Sequence, residues 1–272
     1  MELQDHTAFL AQLLPTVATQ LRPALSSLHF AAAALAPAEA RERDPELDAK
    51  AAVLDQSYYQ LLRLVNNLTY AGYVKGDEPL TVSDLDLVDL LANLCDRYRS
   101  LAQLLGLGFS FKCELSSHIC AVNRESIEQL LAQLLSNAFK FTPKGGNITV
   151  ELWTAGGRVL LSVADNGCGI AEAMLPTLFD RYLHEDLMDP PPHGLGLGLP
   201  ICRKIAERHG GSIMAESKEG TGTCITLSIP DRQTGTAFVS DVPFDYAGGF
   251  NHTLLALSDA LPVKAFQLRD QD

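Results

Sequence analysis

The chain has 272 residues, 47% of them hydrophobic, enough for one large core or two modest ones and too many for a disordered polypeptide. Its formal charge of −12 works against a nucleic-acid partner, because holding a phosphate backbone takes a basic surface that displaces counterions. The six cysteines, Cys95, Cys113, Cys120, Cys168, Cys202 and Cys224, form no CxxC pair, and the start MELQDH has neither a basic n-region nor an apolar h-region, so reduced thiols in a cytoplasm are expected. The most apolar run, LHFAAAALA at 28–36, falls far short of the roughly 20 residues that a bilayer crossing takes. No membrane segment and no built-in extracellular sensor are therefore expected.

Residues 1–75 read as helix with a heptad pattern: Leu14, Leu21, Leu28 and Leu35, with Leu10, Val17, Ala24 and Ala31 as a second seam. After the charged connector PAEARERDPELD, a second register carries Leu47, Leu54, Leu61 and Leu68, with Ala51, Tyr58 and Val65 interleaved. Two such helices make a hairpin, which buries little alone and is expected to double into a four-helix bundle as a homodimer. In this register Thr19 falls at an f position and His29 at b, both pointing away from the seam. The stretch TVATQLRPALSSL around Thr19 is broken by Pro23 and charged only at Arg22.

Residues 80–230 change texture. DLDLVDLLANLCDRYRSLAQLLG is an amphipathic helix, LGFSFKCEL a strand, RESIEQLLAQLLSNAFKF a second helix, and NITVELWTAGGRVLLSVAD two strands about an AGG turn. LGLPICRKIAERHGG reads as a third helix, with SIMAES and GTCITLSIP as further strands, so the expectation is an α+β domain built on an antiparallel sheet. In the tail, 231–272, FNHTLLALSDALP forms a short helix docked on that domain, or the tail stays disordered.

Three clusters carry chemistry. Gln133, Asn137 and Lys140 stack at i, i+4, i+7 on one helix, offering amide oxygens suited to Mg²⁺ and an ammonium suited to phosphate, opposite an apolar arc of Leu131, Leu134, Leu135 and Ala138. Asp165, at the end of an alternating strand and followed by Gly167 and Gly169, can accept a hydrogen bond from an exocyclic amine where backbone comes close. Gly194, Gly196 and Gly198 precede a helix, so free N–H groups and the positive end of its dipole can meet an anion. Neither a GxGxxG in a βαβ unit nor a GxxxxGK[ST] is present, which excludes the dinucleotide-fold and P-loop readings. The proline-rich HEDLMDPPPHG before these glycines lies where a lid over a phosphate chain would sit.

Taken in order, LLSNAFKFTP, DNGCGI, LFDRYLH, GLGLGLPI and GTGT resemble the N, G1, F and G2 boxes and the following glycine-threonine turn of sensor histidine kinases in the GHKL, or Bergerat-fold, ATPase superfamily. The hairpin resembles that family's dimerisation and phosphoacceptor domain. The resemblance implies an ATP-binding α/β sandwich over 80–230, with Asp165 holding the adenine amine and Gly167, Gly169 and Thr223 about the base. It implies Asn137, with Gln133, as Mg²⁺ ligands, Lys140 at the phosphates, Gly194, Gly196 and Gly198 around the triphosphate, and Arg181 stabilising γ-phosphate charge. A response regulator or a partner kinase is the implied partner.

The departures are as informative. Gln133 stands where the family has an asparagine, and His184 where a second arginine is common. On the first helix TQLRPAL aligns with the family's HELRTPL, so Thr19 replaces the nucleophilic histidine and Gln20 the acid beside it, while Leu21, Arg22 and Leu25 are kept. A threonine hydroxyl without a base is a poor nucleophile at neutral pH. His29 lies about 15 Å further along the helix, at about 1.5 Å per residue, without a following acid, and reads as a surface histidine. The expectation is a histidine-kinase-like protein or, alternatively, a catalytically degenerate nucleotide-binding scaffold. A chaperone or strand-passage ATPase would need a long transducer after the ATP site, and an anti-sigma serine kinase would lack the hairpin.

Overall fold

The computed structural model describes residues 2–73, 80–180, 196–235 and 251–268. Helix α1 (Glu2–Leu35) and helix α3 (Pro45–Tyr73) run antiparallel, joined through the short α2 (Ala38–Arg43). Asp44 starts α3 by accepting from the N–H groups of Glu46 and Leu47 at 2.9 and 3.2 Å, and Pro45 takes the first helical position, where no N–H is needed. Helix α1 runs unbroken through Pro23. Pro23 sits on the exposed face, where solvent reaches the backbone that its ring leaves without an amide partner.

The seam between α1 and α3 is not the leucine register. Ala18 and Leu25 are buried against α3, with Arg22 and His29 in the same stripe, whereas Leu21, Leu28 and Leu35 are 44, 66 and 84% exposed, and Leu54 and Leu61 of α3 are 57 and 47% exposed. Helix α1 thus turns a mixed stripe, Ala18, Arg22, Leu25 and His29, toward α3 and leaves its leucine stripe outside. His29 consequently points inward, contrary to its expected b position: its ring stacks on Tyr58 at 4.3 Å and its Nδ1 lies 4.0 Å from Asp55.

Beyond the hairpin, β1 (Ser83–Asp86) and β3 (Ile119–Val122) form a small antiparallel pair. The first of these lies in residues that read as the start of a helix; Asp86 instead ends the strand and caps α4 (Leu87–Leu105), accepting from Val88 and Asp89 N–H. The main sheet has the order β2 (Gly108–Cys113), β4 (Asn147–Ala155), β5 (Arg158–Asp165), β7 (Gly222–Pro230), β6 (Ser212–Lys218). It is mixed rather than antiparallel, because β2 pairs parallel to β4 after the crossover through α5 (Arg124–Phe141). The turn between β4 and β5 is Gly156-Gly157, both at positive φ (57 and 71°), as a two-residue hairpin with right-handed strand twist requires.

One face of the sheet is apolar. Val150, Val163 and Ile225 align across three strands, as do Leu152, Leu161 and Leu227, and all are buried. Helices α4, α5 and α6 (Gly198–Arg208) cover this face, supplying Leu91, Ile127, Leu131, Ile201 and Ile205 to one core. The helix read in FNHTLLALSDALP is α7 (His252–Leu257), followed by a 3₁₀ turn at Val263–Phe266. It rests on α3 as well as on α5. No helix among the described residues is long and apolar enough to cross a membrane.

His209, 2% exposed, ends α6. Its Nε2 accepts from Asn123 N–H at 3.1 Å, so the ring proton is on Nδ1, 2.8 Å from Ile205 O. Burial lowers its pKa, and the neutral ring is the form that fits. A depressed histidine contributes stability that is complete above its unfolded pKa of about 6.5 and is lost as pH falls, because the unfolded chain takes up the proton first. Urea titrations should show the wild type losing stability between pH 7 and pH 5 by an increment that His209→Gln does not lose.

Candidate functional site

The site is assembled where β5 leaves the sheet. Asp165 pairs in register with Thr223 of β7, and its Oδ1 accepts from Gly167 N–H at 2.8 Å. Burial raises its carboxyl pKa, opposed by hydrogen bonds from the Gly167 and Thr223 backbone. The chain then passes so close to its neighbours that side chains are excluded. A Cβ on Gly167 would lie 2.3 Å from Phe141 O, and one on Gly169 2.1 Å from Lys218 O. Cys168 N–H donates to Phe141 O at 3.2 Å, and Gly220 N–H to Cys168 O at 2.7 Å. This loop is therefore sewn to the end of α5 on one side and to the β6–β7 turn on the other.

Ser217 is a residue that sequence reasoning missed. Its hydroxyl accepts from Ile170 N–H at 2.8 Å, donates to Gly222 O at 2.8 Å and lies 2.9 Å from Thr223 Oγ1, so it fixes the threonine expected near the base. A serine in an alternating strand next to a glycine turn gives no sequence signal for that role.

Asn137 and Lys140 are half-buried on α5. The Lys140 ammonium pKa is lowered by burial, partly restored by the Asp259 carboxylate and lowered further by Arg63. Gln133 differs from both. It is 4% exposed, its Nε2 donates to Asn67 Oδ1 of α3 at 2.7 Å, and its Oε1 would stand 2.8 Å from a Cβ on Gly198. Its amide thus faces the hairpin and the start of α6. Asn67, itself 8% exposed, is a second missed residue; the only trace is a pair of asparagines, Asn66-Asn67, inside an otherwise apolar heptad. Gly196 and Gly198 precede and open α6, while Gly194, Arg181 and His184 lie outside the described residues. Thr19 and Gln20 are exposed on α1, one turn from Arg22, whose guanidinium donates to Asn66 Oδ1 at 2.7 Å.

These residues fit a nucleotide. A carboxylate has about four acceptor positions, more than the Gly167 and Thr223 backbone bonds take up, so it can still accept from an exocyclic amine, and glycines that admit no Cβ let backbone approach a flat base. Asn137, half-buried on α5, has an amide oxygen, a hard donor of the class that Mg²⁺ takes alongside waters and substrate phosphates. No cluster of three metal-binding His, Cys, Asp or Glu side chains occurs among the described residues.

Residues 122–233 match the family described as histidine kinase-, DNA gyrase B-, and HSP90-like ATPase. The chain is 32% identical over 186 residues to the sensor protein DivL of Caulobacter vibrioides, covering 68% of this chain and 24% of DivL. It is 32% identical over 218 residues to the sensor protein SrrB of Staphylococcus aureus, covering 79% of this chain and 37% of SrrB. The chain therefore spans about a quarter of one of these relatives and little more than a third of the other. Among solved structures, the catalytic domain of histidine kinase ThkA superposes with a TM-score of 0.50 at 26% identity, covering 56% of this chain and 97% of that one. Full-length ShkA in complex with AMPPNP shares the fold over 82% of this chain and 46% of its own, with a TM-score of 0.66 at 24% identity. The sheet and helices around Asp165 thus form a domain of the histidine kinase-, DNA gyrase B-, and HSP90-like ATPase family, in a chain similar to sensor proteins and to the catalytic domain of a histidine kinase.

Proposed function

We propose that this chain is a histidine-kinase-like core of two-component signalling that binds ATP and Mg²⁺ but does not phosphorylate its own hairpin at the usual position. It divides into the hairpin at 1–75, the ATP-binding domain at 80–230 and the tail at 231–272. The observation that carries the reading is the Asp165 loop, with its engaged carboxylate, its side-chain-excluding glycines and Thr223 alongside. Asp165 accepts from the adenine amine, while Gly167, Gly169 and Thr223 line the base. Asn137 offers an oxygen to Mg²⁺, which when bound neutralises phosphate charge. Lys140, Arg181 and the N–H groups around Gly194, Gly196 and Gly198 hold the phosphates. Gln133, engaged with Asn67, serves Mg²⁺ less directly than its position in the motif implies.

Acceptance by Asp165 is stronger from the ionised carboxylate than from the neutral acid. Its raised pKa places protonation at a higher pH than for an ordinary aspartate, so nucleotide affinity should fall on mild acidification. Asp165→Asn should bind a fluorescent ATP analogue ~10–100-fold more weakly at neutral pH, from the ~1.5–3 kcal/mol of a hydrogen bond to a charged group, and with little pH dependence.

Thr19 and Gln20 supply neither nucleophile nor base, and His29, stacked on Tyr58 in the seam, does not face outward to receive a phosphoryl group. The chain then acts as a nucleotide-dependent scaffold that docks a response regulator or a partner kinase, or phosphorylates a histidine in trans. Incubation with labelled ATP and Mg²⁺ should leave it without acid-labile phosphate. Acid-labile label lost in His29→Ala, or acid-stable label lost in Thr19→Ala, would overturn the scaffold reading.

The exposed leucine stripe supports a homodimer. Leu21, Leu28, Leu54 and Leu61 lie on the hairpin away from its internal seam, and a second hairpin of the same sequence matches them stripe to stripe. Light scattering should give the mass of two chains for the wild type and of one chain for Leu28→Glu combined with Leu54→Glu.

A further inference from the structure

Asp165, Thr223 and Ser217 stand side by side at one end of the sheet. Asp165 of β5 pairs with Thr223 of β7, and Thr223 pairs with Ser217 of β6, so the three side chains share one face of three adjacent strands. All three are half-buried. Gly222, the neighbour of Thr223, lies so close that a Cβ on it would stand 2.1 Å from Asp165 O.

The hydrogen bonds of this row fix where its protons are. A serine hydroxyl has one proton to give and two lone pairs that receive. Ile170 N–H can only donate, and it occupies one lone pair of Ser217 at 2.8 Å; Gly222 O can only accept, and it takes the single proton at 2.8 Å. The 2.9 Å contact between Ser217 Oγ and Thr223 Oγ1 then has one direction: the threonine donates and the serine accepts. Thr223 has no second proton, so its oxygen meets a ligand as an acceptor. Asp165 is an acceptor too. The loop beside them turns its N–H groups inward, Gly167 to Asp165, Cys168 to Phe141 O and Ile170 to Ser217.

We propose that Ser217 is a specificity-determining residue: by taking the Thr223 proton it keeps both polar groups of the base site acceptors, and so selects a purine with an exocyclic 6-amino group over one with a 6-carbonyl oxygen. The proposal deepens the nucleotide reading above and rests on it. Adenine offers a donor at that position, whereas guanine and hypoxanthine put an acceptor there. A carbonyl oxygen set against a carboxylate and a hydroxyl lone pair finds no proton to share, and an unsatisfied polar group weakens binding. Asp165 alone supplies part of this rejection. A threonine whose proton was not engaged would undo some of it, by rotating to donate to the carbonyl. Ser217 thus acts through Thr223, as a positioning residue rather than a catalytic one.

The test uses the full chain with Mg²⁺ and a ribose-labelled fluorescent ATP analogue, displaced by ATP or by ITP. The readout is the ratio of the two affinities, which the wild type should hold in favour of ATP. Ser217→Ala should lower that ratio about three- to tenfold, the worth of one neutral hydrogen bond regained by the carbonyl. Loosening of the loop weakens both nucleotides alike, so a merely structural role leaves the ratio where it was. Ser217→Thr, which keeps the hydroxyl, should retain the wild-type ratio. Thr223→Val leaves Ser217 its bonds to Ile170 and Gly222, and it should also lower the ratio, through weaker ATP binding, whether or not Ser217→Ala folds. A ratio unchanged in both Ser217→Ala and Thr223→Val, or equal affinities of the wild type for ATP and ITP, would overturn the role of Ser217 while leaving the nucleotide reading intact. Failure of the wild type to bind either the analogue or ATP would overturn both.

Discussion

A buried amide pair sets how the two halves of this molecule meet. Asn67 of α3 and Gln133 of α5 are 8 and 4% exposed, and their hydrogen bond is 2.7 Å long. Leaving either amide unsatisfied in such a place costs about 1–3 kcal/mol, so the pair selects one register of hairpin against domain where apolar contact alone would tolerate sliding. One turn further along, Tyr70 donates to Ser126 at 2.9 Å, and one residue back Asn66 takes the guanidinium of Arg22 from α1. Gln133 also abuts Gly198, so the residue that fixes the hairpin is in contact with the start of the helix that follows the glycine-rich run. Hairpin position and the start of α6 are therefore mechanically connected through one side chain.

Much of this was legible in the sequence wherever a local rule had a local cause. The alternation of β4 and β5 and the paired glycines between them dictated a hairpin, and the amphipathic period of α4 and α5 dictated helices packed on one face. The loop around Asp165 was legible because carboxylate and glycines lie within five residues of one another. What escaped notice depends on partners far away in sequence. Strand β1 forms because its partner β3 lies beside it, and its four residues, SDLD, carry no strand signal of their own. Ser217 and Asn67 have meaning only through residues on other elements.

The heptads illustrate a different limit. A seven-residue leucine repeat says that a face is apolar, not which neighbour covers it. Helix α1 offers two such faces, and the larger side chains were the natural choice for the internal seam. The chain instead buries Ala18 and Leu25, bonds Arg22 to Asn66 of α3 and turns His29 inward against Tyr58. The same packing keeps Thr19 and Gln20 in the open, one turn from the contact between Arg22 and Asn66 that ties this stretch of α1 to α3.

The seat of Phe266 bears on how the chain folds. Arg41, which holds its carbonyl, lies 225 positions earlier, and Tyr59, which packs on its ring, precedes the whole sheet. During synthesis the hairpin is made first and has to wait, with this apolar hollow uncovered, until residues 251–268 emerge. Contacts of such long sequence separation form late, because the loop that closes them must be ordered first. Until then a nascent hairpin exposes both this hollow and the leucine stripe, so the burial of its own aromatic face depends on a segment made after the whole sheet.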